Sequence, residues 1–288
     1  MRRTRGVVQT DPMGWTLTRD LESFLADAGT FMHADPAVHT VTLTVTATMR
    51  AQDPADREDV LFGHWTRGDR VAGVAIWTPP RPPLLGCPPD AARELADALH
   101  GDVPGVHAAP ETAEAFADAW RHRTGGTTRV SMRQRLVRLG TLAAPDPLPP
   151  GAARIATTAD RDAVLKWFIA FSESDEEHAP VSPATVDDRI ATGGLALWDL
   201  DGTPVAMAAR TRIVAGTARV APVYTPPEHR RHGYGAAVTA AVTRSALDAG
   251  AREVVLFTDL ANPTSNAIYR RLGYRPVEDR TLLAFTPT

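Results

Sequence analysis

The chain has 288 residues with 43% hydrophobic content, and its 31 basic and 34 acidic residues give a formal net charge of −3. This length and apolar content allow a sizeable core in two domains, and the near-neutral charge excludes a global basic field for nucleic acid. A single cysteine, Cys87, excludes an intrachain disulfide and a cysteine-based metal cluster. The sequence also contains no apolar run of bilayer length, so we expect a cytoplasmic protein without a metal or a membrane partner.

The beginning of the chain contains two candidate helices. Apolar residues recur at helical spacing from Leu17 onward and predict a helix over residues 17–33. Residues 38–49 fit two patterns, because Asp35-Pro36 is a good helix start whereas the alternating threonines are typical of a strand. We favour the helix because of its start signal.

The remainder of the first half predicts a hairpin, two helices and a strand. They are expected at residues 60–65 with 70–77, at 89–99, at 110–123 and at 130–139, with a Pro-rich loop over 78–89. The Pro-dense residues 141–151 lack periodicity and are the best domain boundary. We therefore expect an N-terminal domain of residues 1–145 and a second domain of residues 146–288.

The second half alternates strands and helices and predicts an α/β (α+β) fold. The predicted elements are a strand from Arg154, a helix capped by Asp160, a short helix around Val186, a hairpin of residues 195–198 and 205–212, a strand over 219–225, a helix from Ala237, a strand over 254–257 and a helix after Asn262.

The link between the strand at 219–225 and the following helix predicts an anion site. It contains Arg230, Arg231 and His232, followed by Gly233-Tyr234-Gly235 at the helix start. The first N–H groups of a helix are unpaired and lie at the positive end of its dipole, and glycines let a ligand approach the backbone. An ordinary surface loop with some arginines is the alternative, and we favour phosphate binding.

Two motifs in this half resemble those of the GNAT acetyltransferase superfamily. Arg230-x-x-Gly233-x-Gly235 resembles its acyl-CoA pyrophosphate loop, and residues 262–274, which contain Asn262, Tyr269 and a Gly-aromatic pair, resemble its second motif. The resemblance covers roughly residues 152–288. It implies a GNAT fold, with a central, mixed and mostly antiparallel sheet flanked by helices, and an acetyl-CoA or related acyl-CoA co-substrate.

The resemblance also implies roles for individual residues. Backbone groups of residues 223–225 would pair with the pantetheine arm, the N–H groups of residues 231–236 would hold the pyrophosphate, and Asn262 and Ser265 would contact the cofactor. The implied cofactor-binding residues are Val223, Tyr224, Thr225, Arg230, Arg231, His232, Gly233, Tyr234, Gly235, Ala236, Asn262 and Ser265.

Catalysis would be direct attack of an acceptor amine on the thioester, with Tyr269 as the general acid for the leaving thiolate. A backbone N–H near Thr225 would stabilise the oxyanion. The general base is open, because the strand at 219–225 contains no carboxylate. Asp259 is the candidate at the end of the next strand, the acidic residues 173–178 are others, and the amine could instead arrive neutral.

The acidic residues 173–178 also predict the acceptor. Four carboxylates near the acceptor site would attract a cationic, amine-bearing small molecule. Two other functions stay open: a transferase of this fold that uses charged tRNA as donor, and a non-catalytic CoA-binding or CoA-sensing module. The chain is expected to be a monomer or a homodimer.

The sequence contains a hint of internal repetition. Residues 68–75 resemble residues 202–209, and both lie in predicted hairpins. The first half is then either a degenerate GNAT-like copy that no longer binds CoA or an unrelated domain whose hairpin shares the same turn chemistry.

Overall fold

The computed structural model describes residues 13–51, 59–173 and 181–288 of the chain. The strands of these ranges are β1 (Met13–Thr18), β2 (Leu61–Arg67), β3 (Arg70–Trp77), β4 (Leu84–Gly86), β5 (Gly105–Ala108), β6 (Thr127–Leu139), β7 (Ala152–Ile155), β8 (Leu195–Leu200), β9 (Thr203–Arg210), β10 (Thr217–Tyr224), β11 (Glu253–Asp259) and β12 (Tyr274–Thr286). The helices are α1 (Leu21–Ala34), α2 (Thr40–Arg50), α3 (Pro89–Ala98), α4 (Pro110–Thr124), α5 (Arg161–Glu173), α6 (Pro183–Ala191), α7 (Tyr234–Asp248) and α8 (Pro263–Arg271).

The same order of elements occurs twice along the chain. A strand, two helices, three strands, a helix, a strand, a helix and a strand run from β1 to β6, and the series repeats from β7 to β12. The similar segments at 68–75 and 202–209 fall in corresponding hairpins, β2–β3 and β8–β9, and each hairpin has one register shift. The hairpins are therefore part of a repeated architecture.

The compact units of the structure do not follow this order. Unit 1 comprises residues 1–34, 52–129 and 282–288, and unit 2 comprises residues 35–51 and 130–281. The helix α2 and most of β6 thus belong to unit 2, although both precede the predicted boundary after residue 145. The predicted boundary separates the two repeated series of elements, whereas each compact unit combines segments from both series. The boundary therefore stays a prediction.

Unit 2 contains a mixed sheet with a helical layer on each face. Strands β7 to β10 pair antiparallel in sequence order, β10 pairs parallel with β11, and β11 pairs antiparallel with β6. Alternate residues of β9 pack in two different apolar clusters, as the two-residue period of a strand requires. Ala206 and Ala208 pack with residues of α7, whereas Met207 and Ala209 pack with residues of α5 and α6.

Unit 1 is built in a similar way around its own apolar cluster. Strands β1 to β4 pair antiparallel and β4 pairs parallel with β5. Phe24 stacks on Phe62 with ring centroids 5.3 Å apart, and Trp120 stacks on Phe285 at 4.4 Å. Buried aromatic pairs of this kind contribute about 0.5–1.5 kcal/mol each beyond their buried area.

The predicted helix over residues 38–49 is confirmed as α2. Its threonines do not extend the chain, because their hydroxyls donate to carbonyls one turn back: Thr44 to Thr40 O at 2.8 Å and Thr46 to Thr42 O at 2.9 Å. This back-bonding satisfies buried hydroxyls inside a helix. The β-branched alternation was therefore a weaker signal than the helix start.

Two local predictions in the first half are wrong. Leu17 lies in β1 and not in the following helix. The helix α1 begins only at Leu21, and Asp20 before it accepts a hydrogen bond from the N–H of Glu22. The loop predicted over residues 78–89 contains the short strand β4, which pairs with β3 from Leu84 to Gly86. The three residues of β4 are too few for a periodic signal.

Candidate active site

The site is formed where two parallel strands separate. β10 pairs with β11 over residues 217–219, and beyond Arg219 it continues beside β9 after a register shift between Val220 and Val223. Pro222, which has no N–H to donate, lies inside this shift. The end of β10 therefore diverges from β11, and a cavity of about 720 Å³ has both strand ends in its wall.

Tyr269, Asp259 and all of the predicted cofactor-binding residues except His232 line this cavity. The ring of His232 stacks on that of Tyr234 at 5.5 Å, and its Nδ1 lies 3.3 Å from the carbonyl oxygen of His229. The lining also contains residues that the sequence did not indicate, among them Met132 and Gln134 of β6, Phe171 of α5 and Thr258 of β11.

The glycine loop, residues 230–235, leads into α7, and all of its residues except His232 line the cavity. Gly233 is the N-cap of α7 with φ 84°, and no side chain in the described ranges caps this helix end. The first helical hydrogen bond runs from Ala237 N to Gly233 O at 3.1 Å. The N–H groups of residues 234–236 therefore precede the first bonded turn. Arg231 also has left-handed backbone, with φ 67°, a strained conformation for a non-glycine residue that is common at ligand sites.

Two contacts fix the shape of the loop. Arg230 Nε donates to Thr225 O at 3.0 Å, which ties the side chain across the loop. A Cβ atom on Gly235 would lie 3.3 Å from Thr225 Oγ1, closer than most real contacts of this kind. The glycine thus keeps the helix start close to the end of β10.

The turn after β11 is held by side chains that the sequence assigned to the site. Asp259 Oδ1 accepts from Ala261 N at 2.8 Å, and Asn262 Oδ1 accepts from Ser265 N at 3.0 Å as the N-cap of α8. Asn266 Nδ2 donates to Asp259 O at 2.9 Å. The structural capping role of Asn262 is therefore observed, while its contact with a cofactor and the role of Asp259 as base stay predictions.

Tyr269 lies one turn after Ser265 on α8, and the two side chains are hydrogen-bonded. Burial raises the pKa of the Tyr269 phenol to about 12, and the hydrogen bond with Ser265 acts in the opposite direction. Its ring contacts that of Tyr274 edge-on at 6.2 Å, and the Tyr274 hydroxyl lies 2.7 Å from Thr243 Oγ1. Tyr269 is thus a protonated phenol at neutral pH in the wall of the cavity.

Thr258 contributes a further polar group to the wall. Its side chain is buried, and within the described part of the chain Oγ1 has no hydrogen-bond partner. A buried hydroxyl without a partner is destabilising by about 1–3 kcal/mol. A polar ligand in the cavity would remove this cost.

The structure adds no new candidate for the general base to those that the sequence offered, as far as the described residues go. β10 contains no carboxylate, and Glu173 is exposed at the end of α5. Asp175, Glu176, Glu177 and His178 lie outside the described residues, so the structure does not bear on the acidic loop or on the cationic acceptor inferred from it. Among residues 13–51, 59–173 and 181–288, no cluster of three or more His, Cys, Asp or Glu side chains is arranged to hold a metal ion.

The structure thus places a cavity between two diverging parallel strands, with the start of a helix in its wall. Residues 161–274 match the model of the family described as the acetyltransferase (GNAT) family. The matched residues include both motifs that resemble this family, so this part of the chain is similar to GNAT acetyltransferases. A search of curated proteins finds no match. In the helices that the structure describes, no segment has the length and apolarity needed to cross a bilayer.

Solved structures share the fold of the chain. A GCN5-related N-acetyltransferase from Kribbella flavida is 24% identical, with 76% of this chain and 89% of that one covered at a TM-score of 0.53. A GCN5-related N-acetyltransferase from Sphaerobacter thermophilus is 16% identical, with 96% and 97% covered at 0.60. A tandem GNAT protein from the clavulanic acid biosynthesis pathway is 16% identical, with 96% and 98% covered at 0.53. The fold similarity thus extends over both copies of the repeated architecture.

Proposed function

We propose that the chain is an N-acyltransferase that moves an acetyl or similar acyl group from acyl-CoA to an amine of a small molecule. One observation carries the proposal: the cavity between the diverging strands β10 and β11 joins the glycine loop at the start of α7 to the protonated phenol of Tyr269. Acyl transfer from a thioester whose carrier contains a pyrophosphate requires an anion site and an acid in the same cavity.

The residues present fit such a carrier. The N–H groups at the start of α7, with Arg230 and Arg231 beside them, would hold the pyrophosphate. The pantetheine arm would pair with the backbone of residues 223–225 where β10 has left β11. The hydroxyl of Thr258, which has no hydrogen-bond partner among the residues that the structure describes, offers a further hydrogen bond to a polar group in the same cavity.

The reaction is a direct transfer. The neutral amine nitrogen attacks the thioester carbonyl carbon, a C–N bond forms, and the carbonyl oxygen becomes an oxyanion that a backbone N–H near Thr225 stabilises. Collapse of this intermediate breaks the C–S bond, and Tyr269 gives its proton to the leaving sulfur. The nitrogen loses one proton to water or to a carboxylate such as Asp259. Holding both reactants in one cavity makes the attack effectively unimolecular.

The first test is calorimetric titration with acetyl-CoA of the wild type and of Gly233→Glu. The glutamate places a carboxylate where the pyrophosphate would bind, and we expect at least about 100-fold weaker binding, or about 2.7 kcal/mol. Gly202→Glu is the matched control, since Gly202 has φ 85° against 84° for Gly233, is also exposed and has open space around its Cβ position. It lies in the hairpin turn between β8 and β9, so its acetyl-CoA binding should equal that of the wild type.

A screen of amines for acetyl-CoA-dependent turnover completes the test. Binding that Gly233→Glu loses, followed by turnover, supports the transferase. Binding without turnover on any amine would instead favour the CoA-sensing module. Failure of the wild type to bind acetyl-CoA would refute the proposal and make charged tRNA the next donor to test.

A further inference from the structure

Four arginines of unit 2 lie near one another, and two of them contact the same carboxylate. This arginine cluster consists of Arg189 at the end of α6, Arg210 at the end of β9, Arg212, and Arg219 in β10. Arg212 Nη2 and Nε donate to Asp188 Oδ1 at 2.6 and 2.8 Å, and Arg189 Nη1 lies 3.3 Å from the other oxygen of Asp188.

Hydrogen bonds of the backbone join the chain segments that contain these arginines. Gly194 N donates to Arg189 O at 2.8 Å, and Gly194 O accepts from Arg210 N at 2.7 Å, so one residue joins the end of α6 to the end of β9. Thr211 N donates to Arg219 O at 2.9 Å, and Arg219 N donates to Thr211 Oγ1 at 3.0 Å. Arg219 is therefore opposite the residue between Arg210 and Arg212.

The positive charge of the cluster is not balanced. Within residues 13–51, 59–173 and 181–288, Asp188 supplies the only carboxylate within 4 Å of the four guanidinium groups. Four cations against one anion leave an excess of three positive charges. Arginine is almost never fully buried without such a partner, because removing its charge from water is costly.

Burial makes this excess significant. Arg210 is 6% exposed, its Nη1 lies 3.4 Å from Thr211 O, and its Nε has no partner in the described part of the chain. The Nε of Arg189 is equally buried and unpartnered there. Arg219 Nη1 donates to Thr44 Oγ1 at 3.1 Å, and burial, with the nearby Arg189, lowers the pKa of Arg219 to about 10.

We propose that the arginine cluster binds an oxyanion, the carboxylate or phosphate group of a small molecule. Guanidinium groups match the geometry of such groups with paired N–H donors, and the buried Nε atoms of Arg189 and Arg210 supply donors that an anion would satisfy. The Arg212 side chain is 65% exposed, so an anion in solvent can contact this member of the cluster. No residue of the cluster lines the cavity of the candidate active site, so this is a second site.

The test is calorimetric titration at low salt with inorganic phosphate and, separately, with malonate. We expect the wild type to bind at least one of them and both Arg210→Gln and Arg212→Gln to bind it at least 10-fold more weakly. Arg138→Gln is the control, because that arginine is half-exposed and already paired with Glu253 at 2.9 Å. Its anion binding should match that of the wild type.

Acetyl-CoA titration and urea unfolding of each variant show whether it is folded. Arg210 is buried, and if its replacement unfolds unit 2, the exposed Arg212→Gln decides alone. The proposal is overturned if the wild type binds neither anion, or if the folded variants bind as tightly as the wild type.

A second arm distinguishes a free anion from an anionic group on the acceptor. Turnover is measured with matched amines that differ only in a carboxylate, and this arm alone rests on the proposed transferase activity. If Arg212→Gln raises KM only for the carboxylated amine, the anion belongs to the acceptor. If KM is unchanged while the titrations show loss of binding, the site takes a free anion.

Discussion

Replacing Tyr269 by phenylalanine removes the proposed acid and little else. The ring and its edge contact with Tyr274 at 6.2 Å are retained, and the hydroxyl loses one hydrogen bond, to Ser265. Loss of one such bond costs about 0.5–1.5 kcal/mol of folding stability. Loss of a positioned general acid lowers the rate by about 100- to 10,000-fold. We therefore expect a large fall in kcat beside a small change in stability.

The assay follows release of the free CoA thiol with the amine that best supports turnover, and calorimetry measures acetyl-CoA affinity. The affinity of Tyr269→Phe should stay within about threefold of the wild type, because the variant retains the glycine loop. Tyr274→Phe is the matched control, as its hydroxyl is buried against Thr243 at 2.7 Å. It should lose stability of about 1 kcal/mol and keep its kcat.

The pH profile gives an independent check. A phenol whose pKa is raised from 10 to about 12 keeps its proton throughout neutral and mildly alkaline solution. The kcat of the wild type should therefore not decline between pH 7 and pH 10 through ionisation of Tyr269. Two results would refute the reasoning: a variant with kcat near that of the wild type, or an alkaline decline below pH 10 that Tyr269→Phe abolishes.

Three further predictions follow from single contacts. Asp160→Asn should lower the free energy of unfolding at pH 7 by about 1–2 kcal/mol, because hydrogen bonds from Arg154 lower the pKa of Asp160 to about 2. Urea titrations should show the full difference above about pH 4, and the difference should disappear as the pH falls to about 2. Asn262→Ala should lower the free energy of unfolding by about 1 kcal/mol, since it removes the cap on Ser265 N. Thr258→Val should leave the unliganded protein at least as stable, because its hydroxyl has no partner among the described residues, and should weaken acetyl-CoA binding by about three- to tenfold in calorimetry.

Conservative variants control these three. Asp162→Asn replaces a carboxylate that is 90% exposed and should have no measurable effect. Asn262→Ser and Thr258→Ser keep the oxygen of each side chain and should behave as the wild type does. A pH-independent effect of Asp160→Asn would contradict the assigned pKa, and unchanged acetyl-CoA affinity in Thr258→Val would remove this residue from the ligand site.

The site residues that the sequence predicted lie in short, continuous segments of the chain. The loop from Thr225 to Gly233 and the start of α8 are encoded by consecutive residues, and their chemistry follows from glycine conformations, helix ends and a capping asparagine. Motifs of this kind can be identified without knowing which strands are neighbours. For that reason nearly all of the residues assigned from them line one cavity.

The contribution of β6 was not predictable in the same way. Met132 and Gln134 alternate along one strand, which indicates only that they share a face. They reach the cavity because β6 pairs with β11, with Gln134 opposite Asp259. This pairing joins segments more than a hundred residues apart, and no local pattern records it. The domain boundary expected after residue 145 therefore separates residues that line one cavity.

The repeated order of elements shows why the ligand is expected in one copy only. In the second copy, residues 225–233 separate β10 from α7, and the helix begins with Tyr234, Gly235 and Ala236, each with an N–H to offer. In the first copy, two residues separate β4 from α3, the N-cap is Pro88 and the first helical residue is Pro89. Proline has no N–H, so the first turn of α3 offers an anion fewer donors than the first turn of α7 does. The two copies thus differ at this helix N-terminus, and the proposed phosphate-binding turn is expected in the second copy.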